Sequence, residues 1–275
     1  MVLFLGVAWF FLGLIVGSFL NVVILRYHTG RTVRGRSLCL SCGATLRPRE
    51  LIPVVSYLMQ RGRCRLCGSR VSPQYPLVEI MGGVLFVVVY LKALPLASAA
   101  TVLLAGMLLI VIGVYDVRHK IIPDTFVYAL SALGVLTLFV RPDLSLAVPG
   151  AAAVLAGPLF ALPFLALSLL SSGRWMGLGD AKLALALGWL LGVGESVTAF
   201  LFSFWIGTVA VASIAIAGLL ARALGIKKLF PGEKTLTMET EVPFAPFLIA
   251  GASLAYAFSL DGAEIIAALS SHTPL

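Results

Sequence analysis

Residues 2–25 read VLFLGVAWFFLGLIVGSFLNVVIL, an apolar run without one charged side chain, and Arg26 then opens a stretch dense in arginine. An α-helix rises about 1.5 Å per residue, so roughly 20 mostly apolar residues cross the hydrocarbon layer of a bilayer, about 30 Å thick. The run therefore predicts a membrane-spanning helix. It lacks a basic start and outruns the usual apolar region of a secretory signal, which predicts a retained helix.

The signal recurs along the chain. Apolar segments run from Tyr75 to Leu91, Ala97 to Tyr115, Thr125 to Val140, Leu146 to Leu170, Ala181 to Val193, Val197 to Leu220 and Pro243 to Phe258, which with the first makes about eight expected spans. Ala181 to Val193 is short for a full crossing. Composition agrees: the 275 residues are 60% hydrophobic and 12% charged, with mean hydropathy +1.05. No soluble core hides that much apolar surface, so the bilayer must serve as solvent. The expected fold is an all-α integral membrane protein carrying one small cytoplasmic insertion after its first helix. Its parts are residues 1–25 as the first transmembrane helix, 26–74 as the insertion and 75–275 as a polytopic membrane region.

Orientation follows from the basic residues, which collect on the cytoplasmic side of short loops. Arg26, Arg31, Arg34, Arg36, Arg47, Arg49, Arg61, Arg63, Arg65 and Arg70 all fall between the first two apolar segments. That places the insertion in the cytoplasm and the N-terminus in the periplasm. With alternating loops, Arg118, Lys120, Arg174, Lys182, Arg222, Lys227, Lys228 and Lys234 also lie inside, leaving only Lys92 and Arg141 of the 20 basic residues outside. The net charge of +8 is thus explained by topology. A nucleic-acid-binding face is disfavoured, since these charges flank spans and anionic headgroups.

Within the insertion stand Cys39-Leu40-Ser41-Cys42 and Cys64-Arg65-Leu66-Cys67, which hold all 4 cysteines of the chain. Two such knuckles present four thiolates to Zn²⁺ tetrahedrally, and Gly43 and Gly68 directly after them let the backbone turn around the metal. A reducing compartment argues against disulfides, and a redox dithiol needs only one pair. Four cysteine ligands fill the coordination sphere, so the zinc is expected to be structural, clipping an insertion too small for a core of its own.

Asp116 and Asp180 each stand where an apolar segment meets a polar turn, and counting crossings puts both on the cytoplasmic side. Asp116 opens Asp116-Val117-Arg118-His119-Lys120-Ile121-Ile122-Pro123-Asp124. Asp180 closes Gly177-Leu178-Gly179-Asp180, whose glycines permit a tight bend and a close approach to a neighbour. Two facing aspartates cannot easily both ionise, so they share a proton, and one acts as base while the other acts as acid. Water would then attack a peptide carbonyl without a metal or covalent intermediate. The competing reading ends two helices with headgroup-zone carboxylates. Asp124 reads as a helix cap in preference to a catalyst, and Glu79 as half of a structural ion pair with an insertion arginine in preference to a ligand for a substrate amine. His28, His119 and His272 are scattered, and H-E-x-x-H, G-x-S-x-G and phosphate-loop signatures are absent from the sequence.

Several motifs in order resemble a known family. Gly17-Ser18-Phe19-Leu20-Asn21-Val22-Val23, the paired cysteines, Arg61-Gly62-Arg63-Cys64, Tyr75-Pro76-Leu77-Val78-Glu79, Ile122-Pro123-Asp124, Gly177-Leu178-Gly179-Asp180-Ala181-Lys182-Leu183 and Pro243-Phe244-Ala245-Pro246 are similar to bacterial type IV prepilin peptidases of the Gly-x-Gly-Asp aspartic type. The resemblance implies an inner-membrane protease that removes the basic leader of prepilins and type II secretion pseudopilins on the cytoplasmic side, with Asp116 and Asp180 as its aspartates. It also implies methylation of the new amino terminus with S-adenosylmethionine, a role assigned largely to the insertion. Two positions depart: Glu50-Leu51-Ile52-Pro53 stands where many relatives carry Asp-Asn-Ile-Pro, and Ala245 replaces a frequent glycine. Presenilin-like and archaeal preflagellin proteases share Gly-x-Gly-Asp without the paired cysteines. A transporter or a non-enzymatic zinc-bearing scaffold are the remaining alternatives. Oligomeric state, the particular pilin and the methyl-donor pocket are not legible.

Overall fold

The computed structural model describes residues 2–140, 145, 148–223 and 243–259. Arg141, Lys227, Lys228, Lys234, His272 and the side chain of Arg222 lie outside the described residues. The described chain is helical and forms no named strand, with helices α1 (Val2–Arg26), α2 (Val55–Met59), α3 (Gln74–Leu91), α4 (Leu96–His119), α5 (Asp124–Phe139), α6 (Ala151–Leu170), α7 (Leu178–Ala223) and α8 (Ala245–Phe258). Five stretches are long and apolar enough to cross a membrane, and α5 and α8 are shorter apolar helices. The protein is a multi-pass membrane protein.

The longest helical element, α7, contains a break. The two segments expected there, Ala181 to Val193 and Val197 to Leu220, are present as two helical stretches that meet at a kink at Gly192, the one residue of α7 that leaves helical dihedrals (φ 76°, ψ −179°). The apolar part, Leu178–Gly218, has 41 residues. At about 1.5 Å per residue that is roughly 60 Å, twice the hydrocarbon thickness. The break falls at Gly192 rather than at the polar residues Glu195 and Ser196, which remain helical.

The chain forms two compact units, one comprising the described residues up to Tyr115 with Phe139, Val140 and Ser145, the other comprising Asp116–Leu138 and the described residues from Val148 onward. In the first, α1 packs on α3 through small residues: a Cβ at Gly13 would collide with the Gly82 carbonyl, and one at Gly17 would lie 2.7 Å from the Glu79 Cα. Lipid tails are as apolar as leucine, so helices in a bilayer gain by such close backbone approach rather than by apolar burial. Trp9 adds ring contacts to Phe86 at 5.9 Å and Tyr90 at 6.0 Å.

A polar cluster interrupts this seam. Asn21 is buried and donates to the carbonyl of Tyr75 at 3.1 Å, while Gln74 donates to Asn21 Oδ1 at 3.4 Å. Glu79, also buried, accepts the backbone N–H of Val54 at 2.7 Å and a hydrogen bond from Ser18. The expected ion pair with an arginine is therefore corrected: the one salt bridge among the described residues is elsewhere, and Glu79 instead holds main chain. The segment it holds is strained. Val54 takes φ 60°, ψ −49°, and Val55 N–H donates back to the Pro53 carbonyl at 2.6 Å. This is a γ-turn of the rare hand, unusual for a β-branched residue and fixed by its surroundings.

In the second unit α7 packs on both α6 and α8. An added Cβ at Gly188 would lie 2.6 Å from the Ala156 carbonyl, and one at Gly251 would lie 2.5 Å from both the Ala199 carbonyl and Ser203 Oγ. Phe164, Phe200, Phe204 and Phe244 fill the space between these helices, with the Phe200 and Phe204 centroids 4.8 Å apart. Gly251→Leu should force α8 off α7 and cost about 1–3 kcal/mol, read as a lowered midpoint of thermal unfolding in detergent.

Candidate active site

The second unit brings together the two aspartates that sequence reading singled out. Asp116 lies in the last turn of α4 and Asp180 in the first turn of α7. Their relative exposures are 5% and 8%, low enough that each must find partners inside the protein. Asp116 accepts the backbone N–H of Ala245. The Asp180 N–H donates to the Gly177 carbonyl at 3.2 Å, which brings the Gly177 backbone beside its carboxylate, and Asp180 lies within the electrostatic reach of the Asp116 carboxylate. One oxygen, Asp180 Oδ1, is fully buried and has no hydrogen-bond partner in the protein. Two buried carboxylates within electrostatic reach of one another, one with an orphaned oxygen, have the chemistry to share a proton and to orient a polar reactant.

Local sequence explains the placement. The Asp116 carbonyl accepts Lys120 N–H at 2.7 Å, and Lys120 turns left-handed at φ 54°, which ends α4 just beyond the carboxylate. The glycines before Asp180 act differently from expectation: neither takes a positive φ. Gly179 serves close approach, since a Cβ there would sit 3.0 Å from Ile122 Cβ. Ala245, one of the positions that carry the family resemblance, contributes through its main chain. It begins α8, whose first N–H groups have no acceptor within the helix, and Pro246 behind it has no N–H to offer.

Asp124 is corrected in part. It stands in the first turn of α5, where negative charge suits the helix dipole, but its side chain pairs with Lys182 Nζ at 2.7 Å rather than capping backbone. Lys182 also lies 5.4 Å over the Tyr128 ring. The two pair members are 55% and 38% exposed, so the bridge is worth at most about 1 kcal/mol. Asp124→Asn should therefore shift the unfolding midpoint only slightly and leave chemistry at Asp116 and Asp180 within a few-fold of wild type, as a rate assay would show.

In the first unit the four cysteines converge. Their Sγ atoms all lie within 4.8 Å of one another, and they are the one group of three or more His, Cys, Asp or Glu side chains spaced for a metal among the described residues. Cys39 and Cys67 sulfurs are 3.9 Å apart, which fits two corners of a tetrahedron with metal–sulfur bonds of about 2.3 Å. Each knuckle folds the same way. Cys39 N–H donates to the Ala44 carbonyl and Gly43 N–H to Cys39, both at 2.9 Å, and Cys64 with Ser69 and Gly68 repeats the pattern at 2.8 and 2.9 Å. Gly43 and Gly68 take φ 72° and 68°, the left-handed turn that glycine makes at least cost.

The thiols are electrostatically tuned. Backbone N–H groups of Cys42 and Ser41 draw Cys39 down from 9.0 to about 6. Cys42 is lowered by the Ala44 N–H, yet the neighbouring Cys39 sulfur pushes it up to about 11 overall. The Ser69 hydroxyl and N–H lower Cys67. One thiolate thus opposes the next, and a divalent cation relieves that conflict.

Comparison with known proteins places these features in order. Residues 11–93 match the bacterial peptidase A24 N-terminal domain and residues 102–212 match the type IV leader peptidase family. The chain is 33% identical to the prepilin leader peptidase/N-methyltransferase of Bacillus subtilis (strain 168), over 90% of this chain and 92% of that one. It is 30% identical to the type 4 prepilin-like proteins leader peptide-processing enzyme of Escherichia coli O78:H11, over 87% and 88%. It is 31% identical to the prepilin leader peptidase/N-methyltransferase of Burkholderia pseudomallei (strain 1026b), over 87% and 81%. No solved structure matches it.

Proposed function

The chain belongs to the type IV leader peptidase family, and on that premise we infer that it cleaves the leader from prepilins or pseudopilins and methylates the new amino terminus. The observation that carries the proteolytic half is the buried juxtaposition of Asp116 and Asp180. The pair holds one proton between its two carboxylates. The ionised member takes a proton from water as the water oxygen attacks the scissile carbonyl carbon. The protonated member gives its proton to the leaving nitrogen as the C–N bond breaks. The site thereby returns to its starting charge. The Ala245 N–H fixes the orientation of Asp116, and the orphaned Asp180 Oδ1 is the acceptor available to water or substrate. The substrate's apolar helix stays in the bilayer while only the leader junction enters the carboxylate site.

Arginine density in residues 26–74 supports a cytoplasmic insertion, a periplasmic N-terminus and cleavage at the inner leaflet of the bacterial inner membrane. Cys39, Cys42, Cys64 and Cys67 would hold Zn²⁺, which supplies a structural cross-link and takes no part in hydrolysis. Methyl transfer belongs to the insertion-bearing region, with S-adenosylmethionine as co-substrate, and no residue is assigned to the donor.

The deciding assay incubates purified full-length protein with a prepilin, with and without S-adenosylmethionine, and reads the product's N-terminus by mass spectrometry. A shortened product establishes the peptidase, and an added methyl the transferase. An intact prepilin, with the protein folded and inserted, overturns the reading and favours transport or scaffolding.

A further inference from the structure

The second knuckle carries like charges that its own fold leaves unneutralised. Arg63 and Arg70 are antiparallel bridge partners, an arrangement in which equal charges directly opposite one another destabilise the pairing. Arg61 adds a third from the preceding turn, where it and Gly62 take φ 50° and 65°. The three line a cavity of about 440 Å³ together with Tyr57, Ser72 and Pro73. All three arginines are exposed, and the single ion pair among the described residues involves none of them. Tyr57 brings its hydroxyl to the same place, 3.0 Å from where a Gly62 Cβ would stand. Ser72 Oγ already accepts the Gln74 N–H, which leaves its own hydrogen to donate.

A cavity offering three guanidinium groups and two hydroxyls selects a compact, multiply accepting anion, and guanidinium favours phosphate through paired N–H donors. Position narrows the source. Pro73 immediately precedes α3, which is long and apolar enough to cross a membrane, so the cavity stands at headgroup level at the foot of a span. A basic leader would be repelled here. The methyl donor carries an ammonium and a sulfonium against one carboxylate, and its net positive charge makes it a poor occupant as well. We propose that Arg61, Arg63 and Arg70 form a binding site for the phosphate of an anionic phospholipid headgroup, which seats the zinc-bearing insertion against the membrane.

The test separates this site from general attraction between a basic loop and an acidic membrane. Native mass spectrometry would count phosphatidylglycerol and phosphatidylcholine bound to the full-length protein. Three proteins are compared: the wild type, the triple variant Arg61→Gln, Arg63→Gln, Arg70→Gln, and a charge-matched control, Arg31→Gln, Arg34→Gln, Arg36→Gln. Phosphatidylglycerol binding should weaken by about tenfold or more in the first variant and by less than about twofold in the control. Metal content reports whether the knuckle is intact. If the triple variant loses its metal, Arg61→Gln, outside the bridge, carries the test with an expected loss of about threefold. Equal losses in both variants, or no loss in either, overturn the proposal. Displacement of phosphatidylglycerol by inorganic phosphate at equal concentration also overturns it, because the site would then serve a soluble anion.

Discussion

Asp180→Asn should leave the protein inserted and folded but lower leader cleavage by about 10³-fold or more, and Asp116→Asn should do the same. Asparagine matches aspartate in size, so packing at these buried positions is kept. What is lost is the capacity to carry a proton. If the two carboxylates act as the proposed acid-base unit, the double variant should be little worse than either single one. Mass spectrometry of a prepilin's N-terminus gives the rate, and the unfolding midpoint shows that the fold survives. The ion-paired Asp124 is the internal control, since its replacement removes an equal charge nearby without touching the pair. Normal processing by either variant would remove that residue from the proposed machinery.

The second large effect concerns the insertion. Replacing Cys39, Cys42, Cys64 and Cys67 by serine should abolish bound metal, expected at one zinc per chain in the wild type by elemental analysis, and should open residues 26–74 to trypsin at their many arginines. Zinc association in small metal-folded units supplies about 10–16 kcal/mol, more than a segment of this size obtains from its own core. The structure shows the weakness directly: Leu38, Leu40, Leu58, Met59 and Leu66 are all exposed, so little apolar burial remains once the cross-link is gone. Some proteolytic activity should persist, because the aspartates belong to the other compact unit. A native preparation without metal would count against the zinc assignment.

Much of this architecture was legible beforehand. Apolar runs from Tyr75 to Leu91 and from Ala97 to Tyr115 fall within α3 and α4, because twenty apolar residues have few other places to go. The cysteine spacing and the glycines after each pair anticipated the repeated knuckle, since only a left-handed turn folds so short a loop around one point. The break in α7 falls at Gly192, beside the expected boundary after Val193, because a helix yields most readily at a glycine. Glu79 was misread: charge invites a search for opposite charge, yet its partner is a peptide N–H, which sequence does not display. The same blindness hid Lys182 opposite Asp124, 58 positions apart.

The donor to Asp116 has a consequence for how this enzyme would respond to mutation. Every residue except proline supplies the same amide hydrogen, so a scan that swaps side chains at Ala245 would register only crowding, this position being fully enclosed. The bond itself would pass unnoticed in such a survey. Ala245→Pro alone erases it, and a carboxylate anchored to the peptide skeleton in this way is shielded from most single-codon change.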